Sequence, residues 1–209
     1  MSRHKSHRKG KGKKVYSIIV DGETEIWYFQ LMKKHEDIPR IDIKPELPKK
    51  KKLKEQYELV LENYRKGYDK VIWLLDFDTI PKEDKESKKG QPSKLQEFKT
   101  YYERLNDYEN VEVLVNTPCL EFWYLLHFEF TSKYFSKCEN ATKSLKKSHL
   151  KDYEKTQKYY KKSSNDLYKK LKPHQAEAIV NANKLGSFDF ENPTSAKAEI
   201  YHVFSTLDI

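Results

Sequence analysis

Apolar positions along this chain fall into short unbroken runs separated by stretches with helical spacing. Val15–Val20 is such a run and reads as a buried strand. Lys70–Leu75 is hydrophobic after its first residue and reads as a central strand, because strands covered on both faces lose their polar alternation. Val111–Val115 reads as a third run, and Arg40–Pro45 alternates Ile41 and Ile43 with polar residues, the pattern of a half-covered strand. Between them lie helical stretches. Glu23–His35 carries Ile26, Trp27, Phe29, Leu31 and Met32, with Gly22 expected to permit a sharp strand-to-helix turn. Leu53–Lys66 sets Tyr57, Val60, Leu61 and Tyr64 on one face and closes at Gly67. Ser93 can cap a helix over Lys94–Asn106. Asp78–Pro92 is too polar for either element and reads as a loop. Pro118 suits the start of a helix reaching about Phe130, apolar nearly all round and so expected to be buried. Strands alternating with helices predict an α/β fold: a mostly parallel, four-stranded sheet flanked by helices.

The alternation stops near residue 132. From about 133 to 185 the chain becomes Lys- and Tyr-rich and reads as a helical insertion, and 186–209 reads as a return to the core with a helix over Pro193–Leu207. Residues 1–14 form a basic arm with no acidic residue, expected to be disordered. The expected organisation is therefore an arm over 1–14, an α/β core over 15–132, a basic insertion over 133–185 and a returning C-terminal segment. There is no internal repeat.

Charge changes this picture by its distribution. The formal net charge is +9, yet the arm and residues 137–172 hold more than that excess, so the rest of the chain is acidic. An acidic centre flanked by basic surfaces suits a metal-dependent enzyme acting on a polyanion. No apolar run reaches the roughly 18 to 20 residues needed to span a bilayer, so no membrane association is expected. The N-terminus lacks the apolar segment of a secretory signal. A cytoplasmic location follows as the expectation, with Cys119 and Cys138 as reduced thiols lacking metal-ligand spacing.

The candidate chemistry sits where the apolar runs end. Asp21 and Glu25 follow the first strand, and Asp76 and Asp78 end the central one. In open parallel sheets ligands collect beyond the strand carboxyl ends. Asp76 and Asp78 lie two apart and project on one side if the strand stays extended. Glu25 is about one helical turn from Asp21 and can lean back over the strand end. Three or four carboxylates gathered there would repel one another unless a hard divalent cation neutralised them. The alternative is local: Asp21 capping the first helix and Asp78 capping a turn.

VDGETE followed by LLDFD resembles the TOPRIM domain of primases, type II topoisomerases and OLD-type nucleases. The longer set YSIIVDGETEIWYFQLMKK, VIWLLDFD, VLVNTPCLEFWYLLHF and the NPTS of Asn192–Ser195 resembles the RloB-like family over most of residues 15–207. This resemblance implies a TOPRIM- or Rossmann-like core and a nuclease of prokaryotic antiviral defence using Mg²⁺ or Mn²⁺. It implies nucleic acid as substrate, RNA such as transfer RNA ahead of DNA, with an ATPase partner chain. The sequence has no Walker motif, so any ATP dependence would come from that partner. By the same likeness Asp21, Glu25, Asp76 and Asp78 take the metal positions and, with Glu121 and His127, the catalytic ones. Asp21 stands where the family pattern usually has Glu, one methylene shorter.

Glu121 and His127 interrupt an apolar helix and are read either as a structural pair or as an outer acid and a proton-transfer group. Asn116, at the end of its strand, is a candidate substrate contact, and Cys119 reads as core filler. Candidate phosphate contacts are Lys49, Lys50, Lys51 and Lys52 in the PKKKKLK run and Lys158, Lys161 and Lys162 in the insertion. There Tyr153, Tyr159, Tyr160 and Tyr168 interleave with lysines, which fits either base stacking beside phosphate contacts or an amphipathic packing face. The insertion could wall a groove above the carboxylates. The competing function is a non-catalytic nucleic-acid or partner-binding module. Self-association is open.

Overall fold

The computed structural model describes residues 14–38, 40–44, 52–86 and 92–209. The apolar runs become β1 (Tyr16–Ile19), β2 (Ile41–Lys44), β3 (Lys70–Asp76) and β4 (Val111–Thr117), all parallel, in the order β2-β1-β3-β4. A two-residue β5 (Lys197–Ala198) pairs antiparallel with the end of β4, Ala198 opposite Asn116, so the sheet has five strands. Its position lies inside the segment expected to be helical; two residues at a sheet edge leave no periodicity to read. The helix there, α10 (Tyr201–Leu207), starts later.

The pleat of β3 divides its side chains between two cores. Ile72 and Leu74 face one side, packed with residues of α1 (Glu23–His35), α5 (Leu120–Leu126), α6 (Cys138–Ser148) and α10. Val71, Trp73 and Leu75 face the other, against α2 (Leu53–Lys66), α3 (Thr79–Lys85) and α4 (Lys94–Leu105). Phe188 and Phe190 pack onto the second core. The first core continues without a break into the Lys/Tyr-rich region, through α7 (Gln157–Tyr160), α8 (Leu167–Leu171) and α9 (Gln175–Asn183).

Two helices differ from expectation for physical reasons. α3 lies within the segment read as loop; its Pro81 sits in the first turn, where a missing N–H is tolerated, and the Thr79 hydroxyl donates to the Asp76 carbonyl at 2.8 Å. On α2 the buried face is Leu53, Gln56, Val60 and Asn63; of the expected stripe Val60 is at its centre, while Tyr57 and Leu61 pack half-buried at its edge. Trp73 Nε1 donates to Gln56 Oε1 at 2.8 Å and Asn63 Nδ2 donates to Ser17 Oγ at 2.9 Å. The sheet presents polar atoms that must be paired when covered, so polar side chains occupy core positions of the helix. Gly67 (φ 81°) ends α2 in the left-handed region, and Ser93 Oγ accepts from Gln96 N to start α4. All seven residues of α5 are buried. Among the described residues no helix is long and apolar enough to cross a membrane.

Candidate functional site

β1 and β3 are adjacent and parallel, so their carboxyl ends meet at one edge of the sheet. Asp21, Glu25, Asp76 and Asp78 line a single cavity there of about 340 Å³, with Gly22, Thr24, Thr79, Lys82, Cys119, Cys138, Glu139 and Lys155 also on its wall. The four carboxylates singled out from the sequence are thus brought together. The local alternative for Asp78 is not seen: it precedes α3 without capping it and pairs instead with Lys82 Nζ at 2.7 Å.

Gly22 does not make the turn by left-handed geometry; its backbone is extended at φ −134° and ψ 174°. Its role is space. A Cβ there would lie 2.6 Å from Glu25 Oε2. Glu25 therefore folds back over the strand end, with Oε1 accepting from the Thr24 hydroxyl at 2.9 Å.

Two hydrogen bonds fix the Asp76 carboxylate. Oδ2 accepts from the Leu120 N–H at 2.9 Å and Oδ1 from Asn116 Nδ2 at 3.2 Å. Burial, then the charges of Glu25, Asp21 and Asp78, push its pKa well above the usual carboxylate range. Glu25 is raised too, by burial and then by Glu121. This mutual repulsion is what a bound cation would relieve. The set is all oxygen, as a hard divalent ion requires. Among the described residues, however, no three carboxylate oxygens from these four acids lie within 4.8 Å of one another. Direct ligation by one or two of them, with water and substrate oxygen completing the shell, fits that spacing.

Glu121 is fully buried behind this wall. Its Oε1 accepts from Tyr153 OH at 2.7 Å and pairs with Lys155 Nζ at 2.8 Å. Tyr153 continues through Tyr160 (2.7 Å) to Tyr124 (3.3 Å), a chain of buried hydroxyls. Burial works against the Lys155 ammonium, yet Glu121, then Asp76 and Glu25, hold its pKa above the ordinary lysine value. Lys155 and Lys82 are the cavity's cations that sequence reasoning did not place there. Only the expectation of a groove wall from the basic insertion pointed toward Lys155.

Cys119 and Cys138 are joined, which corrects the expectation of separate thiols; their Cα atoms are 5.6 Å apart. A sequence separation of 19 hides this from spacing rules, and the packing of α5 against α6 brings the two helix starts together. Cys119 Sγ, Cys138 Sγ and a Glu121 oxygen lie within 4.8 Å of one another, and all three residues are buried.

Other candidates lie elsewhere. His127 is buried at the end of α5, its Nδ1–H donating to the Trp123 carbonyl at 2.9 Å, and burial lowers its pKa to about 3. It does not line the cavity and is neutral at physiological pH. Asn116 is buried and holds Asp76 in place, so it is not exposed for substrate contact. Tyr153, Tyr159, Tyr160 and Tyr168 are all buried, which makes them packing residues and removes them as stacking platforms. Lys158, Lys161 and Lys162 are exposed, as is Lys52 before α2, and none lines the cavity. Lys49, Lys50, Lys51 and the arm lie outside the described residues.

A family model described as RloB-like protein matches residues 16–207. No curated protein and no solved structure matches the chain.

Proposed function

The chain belongs to the RloB-like family, and from that premise we propose that its acidic cavity is the centre of a divalent-metal-dependent nuclease with a TOPRIM-like core. The observation that carries this reading is the convergence of Asp21, Glu25, Asp76 and Asp78, from the ends of two neighbouring parallel strands, on one cavity. These four residues would hold Mg²⁺ or Mn²⁺, one or two of them directly and the others through water. Such an ion, when bound, lowers the pKa of an attacking water and neutralises charge on the leaving oxygen of a phosphodiester. The chain's own groups supply the rest. Asn116 and the Leu120 N–H fix the Asp76 carboxylate. Lys155 and Lys82 put positive charge at the rim, suited to a phosphate oxygen. The substrate class is nucleic acid, RNA such as transfer RNA ahead of DNA, in prokaryotic antiviral defence. An ATPase partner chain would supply any nucleotide dependence.

The test is cleavage of RNA and DNA with Mg²⁺ or Mn²⁺. Wild-type protein cleaves, a chelator stops it, and Asp76→Ala or Asp78→Ala loses about two orders of magnitude or more in rate while keeping substrate affinity. Unchanged cleavage in both variants rejects the assignment. A second reading is favoured by Asp21, whose shorter side chain stands at the first acidic position: a binding module without turnover. It predicts salt-sensitive binding, no product with any metal, and indifference to the acid substitutions.

A further inference from the structure

We propose that Cys119, Cys138 and Glu121, with the cysteines reduced, form a binding site for a borderline-soft divalent cation of the Zn²⁺ class, chemically distinct from the oxygen set beside it. The three donor atoms already lie within 4.8 Å of one another on buried residues. Cys119 immediately precedes α5 and Cys138 begins α6, two helices packed against each other.

The decisive observation is the environment of Glu121 Oε2. It lies 3.1 Å from Cys119 Sγ and 2.8 Å from Cys138 Sγ. Disulfide sulfurs carry no hydrogen, so in the oxidised form this fully buried oxygen faces lone pairs and receives no donor from them. Leaving a buried carboxylate oxygen so placed is costly. Reduction relieves that conflict, because each thiol can then donate to Oε2, and a cation replacing the two thiol protons would be held by the same three atoms. Charge agrees with a divalent ion: two thiolates and one carboxylate carry three negative charges, Lys155 at 2.8 Å from Glu121 Oε1 and 3.3 Å from Cys138 Sγ returns one, and two remain. Thiolate ligands select Zn²⁺ over Mg²⁺ or Mn²⁺. Three protein ligands leave a fourth position of a tetrahedral site free, and both cysteines line the acidic cavity. The peptide between two of the ligands carries the Leu120 N–H that holds Asp76.

Metal and disulfide forms exclude each other. Two thiols of a reductant supply two electrons and two protons: the Cys119–Cys138 bond breaks, two cysteine thiols form, and the reductant becomes a disulfide. The cation then displaces both thiol protons as it binds.

Cobalt(II) is the probe, because thiolate ligation gives an intense charge-transfer absorption that oxygen and nitrogen ligands do not. The full chain, reduced anaerobically and cleared of reductant, is titrated with Co²⁺ and then Zn²⁺. The expected result is one thiolate-bound Co²⁺ per chain, displaced by Zn²⁺, and no such band in the oxidised protein. Cys138→Ser abolishes the band, and Asp78→Asn, on the oxygen set, keeps it. The comparison of oxidised with reduced wild type needs no variant, so a misfolded cysteine mutant does not blunt the test. Reduced wild type that shows no thiolate band at excess Co²⁺ overturns the proposal. So does a disulfide that free-thiol titration shows intact in the folded protein after reductant treatment.

Discussion

A methyl group at position 22 would press on Glu25 Oε2 at 2.6 Å, and nothing else lies as close. Because the Gly22 backbone is extended, Gly22→Ala moves a flexible carboxylate rather than straining the chain. Thermal unfolding of the variant should stay within about 1 kcal/mol of wild type, while calorimetric Mn²⁺ affinity falls; unchanged affinity would mean that Glu25 is not a ligand. Asp76 makes a second prediction. Its pKa is raised by burial and then by Glu25, Asp21 and Asp78, so the folded state holds this proton above the pH at which the unfolded chain releases it. Its contribution is fully present below the ordinary aspartate pKa and is lost as pH rises through the folded value. In metal-free protein the denaturation free energy should therefore decline less with rising pH in Asp76→Asn than in wild type. Parallel pH profiles for the two would contradict this. Saturating Mn²⁺ should flatten the wild-type profile. The four acids were legible because each stands at the end of an apolar run. Lys82, Lys155 and the Cys119–Cys138–Glu121 cluster were not, since only tertiary packing sets them beside the strand ends.

Among the elements, α2 carries the clearest energetic claim. Its buried Gln56 accepts the indole N–H of Trp73, a residue fully enclosed in the second core. Gln56→Leu leaves that N–H without its partner, and the expected loss in urea unfolding is about 1–3 kcal/mol. A change under about 0.5 kcal/mol, the range of an ordinary surface substitution, would contradict it. Hydrophobic periodicity placed the helix within its true bounds and found Val60, but it could not find Gln56 and Asn63, which are polar by type and buried because they pair with polar atoms of the sheet. In the basic region the tyrosines are ambiguous by type. Spacing alone could not decide between packing and stacking, and the core contacts of Tyr153 and Tyr160 decide for packing. β5 and α3 escaped notice for the opposite reason: they are short, and their hydrogen bonds to neighbours define them more than their own residues do.

In the whole molecule the parallel order β2-β1-β3-β4 is what makes a site. It sets the ends of β1 and β3 side by side, although Asp21 and Asp76 are far apart in sequence. The helical region then closes over one face and delivers Lys155 to the rim, so surface basicity and central acidity meet at one cavity. The central claim is that the carboxylates at these two strand ends share a divalent ion. Anomalous scattering from crystals equilibrated with Mn²⁺ tests it most directly. The account predicts a manganese peak in the cavity bounded by Asp21, Glu25, Asp76 and Asp78, lost in Asp76→Ala. A cavity with no peak at saturating Mn²⁺, or manganese found only at other sites, would contradict it.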